Sequence, residues 1–292
     1  MTHAPSALTV LEILRRSTTW LGGRGVENPR LDAEILVAHG LGMERLGLYL
    51  AFDRPVDEAE RARIRELIRE RGRRVPVAYL TGEREFYSLA FHVEPGVLVP
   101  RPETEHLVEV VLPIVEDDER PVFADVGTGS GCVAISLLVE APRAVAYATD
   151  ISPLALEVAR RNAERHDVLE RLVLLEGDLL EPVRATADWG RLDAVVCNPP
   201  YVLHDDESVE PGVREHEPPE ALFVEGDDPL APARRVAETA REGLLHGGVL
   251  ALEIGLGSGE EARRLLEGLG YVDVRLTPDL AGIDRVVSGR RG

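Results

Sequence analysis

The chain has 292 residues, 33 basic against 52 acidic, and a formal net charge of -19. Its length suits one large or two modest domains, and 44% hydrophobic with 29% charged residues is the composition of a folded chain, not a disordered one. No apolar run reaches the ~18–20 residues of a membrane span. Residues 1–20 lack a basic-then-apolar leader layout, and Cys132 and Cys197 alone make neither a disulfide framework nor a zinc site, so the cytoplasm is the expected compartment. Residues 1–75 carry a net charge of +2 and the remainder -21; such a body repels a phosphate backbone and weighs against tight sequence-independent nucleic-acid binding unless a local basic face exists. Every basic residue is Arg, so no catalytic lysine amine exists.

The first 75 residues predict helices only. Leu8, Leu11, Ile13, Leu14, Trp20 and Leu21 share one amphipathic helix closed by Gly22-Gly23; Leu31, Ile35, Leu36 and His39 mark a second, and residues 44–50 a short third. Asp57 caps a fourth, with Ile64, Leu67 and Ile68 as its apolar face. The alternating charges of residues 58–74 read as a solvated face with paired signs in preference to a nucleic-acid patch. Residues 76–94, with Tyr79, Phe86, Tyr87, Phe91 and Val93 around Gly82, predict a β-hairpin linker. An extended passage over 97–102 leads to a helix opened by Glu103 or Thr104 and running to about residue 115.

From there strands alternate with helices. Strands are predicted at 122–126, 144–149, 172–175, 194–197, 249–254, 272–276 and 285–288, and helices at 151–166, 230–245 and 259–269. Buried, near-continuous apolar strands in that alternation predict an α/β fold with a doubly wound, mostly parallel sheet over residues 95–292.

Asp125-Val126-Gly127-Thr128-Gly129-Ser130-Gly131 follows the first of these strands and leads into a helix. Glycines there let a ligand approach the backbone and the helix N-terminus. The spacing is G-x-G-x-G, not the G-x-G-x-x-G of dinucleotide binders. Asp150, ending the second strand, has the place of a carboxylate that accepts both ribose hydroxyls, or of an ordinary cap for the next helix. Asp178, before Leu179, suits either the exocyclic amine of adenine or a plain turn.

Asn198-Pro199-Pro200-Tyr201 ends the fourth strand. Two prolines fix a rigid turn at the edge where ligands bind in such sheets. The Asn side-chain oxygen and the Pro199 carbonyl are two fixed acceptors for one planar NH2, and Tyr201 offers a face to pack on it. A delocalised amide or aromatic-amine nitrogen is a poor nucleophile, and no strong base is evident, so the electrophile must arrive activated. A sulfonium methyl meets that need. The two motifs together point to S-adenosylmethionine-dependent methylation of a planar NH2 by in-line displacement.

Pro76-Val77-Ala78-Tyr79-Leu80-Thr81-Gly82, then Phe86, Leu89, Phe91 and Val93, then the run from Val97 through Arg101-Pro102-Glu103-Thr104-Glu105 to Glu109, resemble the release-factor glutamine methyltransferases, the PrmC/HemK family. The likeness continues through the glycine loop, Asn198 to Tyr201, Glu217-Pro218, Ala221-Leu222, Glu253-Ile254-Gly255, Asp279 to Gly282 and Asp284-Arg285. It implies a Rossmann-like class I methyltransferase sheet preceded in the chain by a small N-terminal helical domain (1–75), which, being close to neutral and without an acceptor constellation of its own, is expected to dock the substrate. It also implies N5-methylation of the glutamine in the Gly-Gly-Gln loop of bacterial peptide-chain release factors, with S-adenosyl-L-homocysteine as product. Asn198, Pro199, Pro200 and Tyr201 become catalytic and substrate-binding candidates. Gly127, Thr128, Gly129, Ser130, Gly131, Asp150, Asp178, Leu179 and Asn198 become cofactor-binding candidates. No metal, membrane or stable nucleic-acid partner is expected.

Two departures lie at the periphery: residues 225–229 replace a glycine-rich stretch, and Ser258 or Gly259 stands where a Gln often follows Glu-Ile-Gly. The ribosomal-protein L3 glutamine methyltransferases share the tetrapeptide but tend to carry Ser-Pro after the Pro-Arg pair, where this chain has Pro102-Glu103. DNA adenine N6-methyltransferases also use Asn-Pro-Pro-Tyr on a flipped base, a use that the acidic body disfavours. The run from His204 to Glu207 reads as a solvated acidic loop, His106 as a partly buried helix residue, and Cys197 as a small strand residue.

Overall fold

The computed structural model describes residues 8–116 and 119–292, so the first seven residues of the segment read for a leader lie outside it. The chain forms two compact units: residues 8–82 with Val209–His216, and Glu83–Ser208 with Glu217–Gly292.

The first unit begins with α1 (Val10–Gly22), α2 (Pro29–Leu41), α3 (Arg45–Leu50), α4 (Glu58–Gly72) and α5 (Val77–Thr81). Capping boxes open α1 and α4: the Thr9 hydroxyl and the Asp57 carboxylate accept the N3 amides, while Glu12 and Glu60 accept in return from Thr9 and Asp57. Leu21, Leu36, Leu48 and Val56 are fully buried between these helices. Glu58–Arg61, Glu66–Arg69 and Glu70–Arg73 pair along α4, as the alternation predicts. Two of its charges turn inward instead. Glu60 takes Arg54 at 2.5 Å, and Arg71 reaches Asp32 at 2.6 Å, with both Arg71 and Asp32 largely withdrawn from water.

The second unit opens on the hairpin β1 (Glu83–Phe86) and β2 (Leu89–His92). It is shorter than expected: Tyr79 belongs to α5, which Pro76 opens and Gly82, at φ +73°, closes. Tyr87 and Ser88 both turn through positive φ, as a two-residue hairpin turn demands, and the Tyr87 amide donates to Glu105. A single turn at Pro102–Thr104 leads to α6 (Glu105–Glu116). There follow β3 (Val122–Val126), α7 (Cys132–Glu140), β4 (Val145–Asp150), α8 (Pro153–Arg165), β5 (Leu172–Glu176) and β6 (Leu192–Cys197). The chain supplies the first unit with α9 (Pro211–His216), then continues here as α10 (Pro219–Leu222), α11 (Ala231–Gly243), β7 (Leu244–Glu253), α12 (Gly259–Gly268), β8 (Tyr271–Pro278) and β9 (Asp284–Arg291). The helix expected over 230–245 stops at Gly243, which lies against the Trp189 ring, and β7 starts at once, five residues earlier than its apolar run suggests.

The sheet order is β5-β4-β3-β6-β7-β9-β8. The first five strands are parallel, and β9 runs antiparallel to both β7 and β8. Phe123 and Val196 enter one apolar layer, Ala124 and Val195 the other, so both faces are covered and the central strands need no polar side. From β3 the chain steps outward through β4 and β5, then returns to β6 and steps the other way. The order reverses between β3 and β6, which is where an open α/β sheet leaves a crevice at its carboxyl edge.

In the first unit α2 and α4 approach at Gly40, where a Cβ would stand 2.6 Å from Ile64 Cγ1. Gly40→Ala gains ~1 kcal/mol of helix propensity but overpacks this contact, at a cost of ~1–3 kcal/mol. The expected net result is a lower urea midpoint, followed by Trp20 fluorescence in a Trp189→Phe background. A raised midpoint would show that the helices yield freely.

Candidate active site

The glycine loop leaves β3 at the reversal point. Gly127, Gly129 and Gly131 all have positive φ, but for two different reasons. A Cβ at Gly131 would meet Ile135 at 2.8 Å and Ala159 at 3.1 Å; at Gly127 and Gly129 no protein atom lies within 4 Å of one. Gly131 therefore closes α7 onto α8, while the other two expose bare backbone that a ligand can approach.

Thr128 is spent on holding the loop's shape: its hydroxyl donates to Asp125 at 2.7 Å, and Asp125 also accepts from the Ala134 amide. The Ser130 hydroxyl is buried without a hydrogen-bond partner among the described residues. Asp150 brackets the loop from β4, accepting from the Gly129 amide at 2.9 Å and the Ser152 amide at 2.9 Å; the cap of α8 itself is the Ser152 hydroxyl. Burial pushes Asp125 up to about 6 and raises Asp150, against the pull of their donors. Asp178 is exposed and paired with Arg235 at 2.6 Å, and Leu179, at φ +50°, packs on the apolar layer that holds Ala124 and Val195. The turn they occupy adjoins Asp150, whose carbonyl accepts from the Gly177 amide.

Asn198 follows β6. Register pairs Cys197 with Leu252, which sets Asn198 beside Glu253 at the end of β7. The Asn198 amide donates through Nδ2 to Thr104 Oγ1 at 3.2 Å, the Thr104 hydroxyl donates to Glu253 at 2.6 Å, and the Tyr201 hydroxyl donates to the other Glu253 oxygen at 3.2 Å. With its NH2 end engaged, the Asn198 amide presents Oδ1 as acceptor. The Tyr201 ring lies against the Gly255 backbone, where a Cβ would come within 3.1 Å. Pro199 is buried and Pro200 half-buried, so the turn is held rigid.

Two family models match the chain, the PrmC N-terminal domain over residues 12–82 and the methyltransferase small domain over 91–216. The release factor glutamine methyltransferase of Geobacter sulfurreducens is 40% identical over 293 residues, covering 100% of both chains. This chain belongs to the release factor glutamine methyltransferase family. The enzyme of that name from Rhodopirellula baltica is 38% identical and covers 96% of this chain and 95% of its own. Among solved structures, the human Mettl16 catalytic domain in complex with a MAT2A 3'UTR hairpin has a TM-score of 0.56 at 16% identity. It covers 72% of this chain and 78% of its own, a likeness of fold alone.

Within this family member three buried polar residues escape a reading of the motifs. Thr104 looks like a helix opener and Glu253 like one letter of a resemblance, yet both hold the Asn198 turn. The signal for Glu253 is the one that singles out Asp150: a lone acid at the carboxyl end of an apolar strand. Asn162, fully buried on α8, donates to the Ser130 carbonyl at 2.8 Å and pairs with both backbone groups of His92, tying the glycine loop to β2. Its signal is an amide on the apolar face of Ala155, Val158 and Ala159. The extended passage before α6 is pinned by the buried Glu217, which accepts from the Val99 amide and from Arg101.

The discounted groups play other parts. Burial pushes the Cys132 thiol up to about 12 and raises that of Cys197, so neither is a nucleophile. His204 stacks on Phe223 and His106 pairs with Glu109. Among the described residues no group of three or more His, Cys, Asp or Glu is placed to hold a metal ion, and no helix is long and apolar enough to cross a membrane.

Burial is the largest influence on Glu253 and pushes it up to about 7, against its two hydrogen bonds. The unfolded value is near 4.5, so the folded state prefers the protonated form. That contribution to stability is fully present below about 4.5 and is lost as the pH rises through about 7. Glu253→Gln carries no such titration. Its stability relative to the natural protein should rise by on the order of 2–4 kcal/mol across that window, read from urea unfolding at a series of pH values. A difference that stays flat with pH would contradict the burial of a charge there.

Proposed function

We propose that this chain transfers a methyl group from S-adenosyl-L-methionine to the side-chain amide nitrogen of the glutamine in the Gly-Gly-Gln loop of bacterial peptide-chain release factors. The relatives' names support the substrate. The observation that carries the chemistry is the Asn198 amide, tethered by its NH2 end so that Oδ1 stands as acceptor beside the exposed glycine backbone.

In this reading Asn198 Oδ1 and the Pro199 carbonyl accept the two hydrogens of the substrate NH2 and aim its nitrogen. Tyr201 packs on the amide plane, and its ring is held by Glu253 and Gly255. The bare backbone of Gly127 and Gly129, with Asp150 at the end of β4, holds the cofactor, and the turn of Asp178 and Leu179 flanks its adenine end. When bound, S-adenosyl-L-methionine would supply an activated sulfonium methyl; the products would be the N-methyl amide, S-adenosyl-L-homocysteine and one proton released from the substrate NH2. The protein's contribution is to orient the nitrogen and to stabilise positive charge as it appears there.

Residues 1–75 fit a docking role for the folded protein substrate: they are close to neutral and hold no acceptor constellation of their own. Pro102-Glu103 in place of Ser-Pro favours the release factor over ribosomal protein L3, and a net charge of -19 weighs against a nucleic-acid substrate.

Asn198→Ala should leave S-adenosylmethionine affinity within a few-fold yet cut methyl transfer by ~100-fold or more, since a fixed acceptor acts mostly in the transition state, worth ~2.7–4 kcal/mol for comparable groups. Single-turnover rates decide it. A variant with full turnover would remove Asn198 from the reaction.

A further inference from the structure

The hydrogen-bond chain behind Asn198 has a direction. Glu253 is buried; one carboxylate oxygen accepts from Thr104 and the other from Tyr201. Thr104, also buried, has a single hydroxyl hydrogen. Once that hydrogen is given to Glu253, Thr104 Oγ1 can only accept from Asn198, and it does so from Nδ2 at 3.2 Å. An amide has one donating and one accepting end, so engaging the first settles which end faces outward.

We infer that Glu253 is a positioning residue for the methyl transfer: through Thr104 its carboxylate fixes the Asn198 amide with Oδ1 outward, and through the Tyr201 hydroxyl it holds the ring beside it. The inference rests on the functional reading only in taking Asn198 Oδ1 as acceptor for the substrate NH2. Protonation of Glu253 on the oxygen that faces Thr104 reverses the chain. The carboxyl then donates to Thr104, Thr104 donates to Asn198, and the amide turns its NH2 toward the NH2 it should receive. The groups facing Glu253 are Thr104 and Glu103 on the turn before α6, Tyr201 after β6, Arg285 on β9, and the Cys197 and Cys132 thiols. Burial and Glu103 favour the protonated carboxyl, and Arg285 with the two hydroxyl donors favours the carboxylate, so the switch falls near pH 7.

The test uses the full chain and two readouts. One is single-turnover methyl transfer from S-adenosylmethionine to purified release factor between about pH 5.5 and 9, with KM for the factor and cofactor affinity measured alongside. The other is the 1H–15N signal of the Asn198 side-chain NH2 in the protein alone, assigned by its loss in Asn198→Asp. The natural protein should lose rate as the pH falls, with a midpoint near 7, and the amide signal should move with the same midpoint. Glu253→Gln and Thr104→Val should lower kcat by about 10-fold or more, change KM and cofactor affinity by less than about 3-fold, and abolish the amide's titration. Thr104→Ser, which keeps the hydroxyl, should restore both. A Thr104→Val enzyme with normal kcat, or an Asn198 signal that does not move with pH, would overturn the inference. A natural protein that transfers no methyl to the release factor overturns the functional reading instead, and the amide titration then decides the part of Glu253 by itself.

Discussion

The in-register pairing of parallel strands is the constraint on which everything else depends. Val126 pairs with Thr149 on one side and Cys197 on the other, and Cys197 pairs with Leu252. Four strands thus end level at one edge, and each delivers its next residues there: the glycine loop from β3, Asp150 from β4, Asn198 from β6 and Glu253 from β7. A slip of one residue in any of these pairs would move the side chain it delivers to the opposite face. Both apolar layers guard against such a slip, because Phe123, Ala124, Val195 and Val196 are all fully buried.

The same edge gathers carboxylates that an apolar interior resists. Asp125 and Glu253 are buried and pushed up to about 6 and about 7; Asp150, less deeply set, is raised as well. Each accepts two hydrogen bonds, and most of the donors belong to groups that must be oriented: the Thr128 hydroxyl, the Gly129 amide, the Thr104 and Tyr201 hydroxyls. Burying an acid costs stability unless it is fully hydrogen-bonded. Here the carboxylates act as anchors for the two turns that face the crevice, so the cost falls where rigidity is useful. Asn162 does the same work with a neutral amide, joining the loop to the hairpin.

Much of this was legible in the residues. The helices of the first unit follow from apolar spacing and from caps such as Asp57, and the strands from apolar runs, with edges wrong by a few residues where Gly243 ends a helix against Trp189. The glycine loop and the Asn198 turn are legible because proline and glycine restrict or free the backbone locally. Thr104 and Glu253 are not, because they lie 149 positions apart and meet only through the sheet's order. For the same reason a charge alternation on α4 cannot reveal that Arg71 turns inward to Asp32, 39 positions away. Short elements such as α5 and α9 carry too few residues to show a period.

The central claim is that the rigid turn at Asn198 receives a glutamine side chain and that the glycine loop beside it receives the methyl donor. The most direct measurement is incubation of the full chain with methyl-labelled S-adenosylmethionine and a purified release factor, followed by peptide mass mapping of the factor. A single added methyl group is expected on the glutamine of the Gly-Gly-Gln peptide, absent when the Asn198→Ala variant replaces the natural protein. Label on any other peptide, or none on that one while the protein still binds S-adenosylmethionine, would contradict that claim.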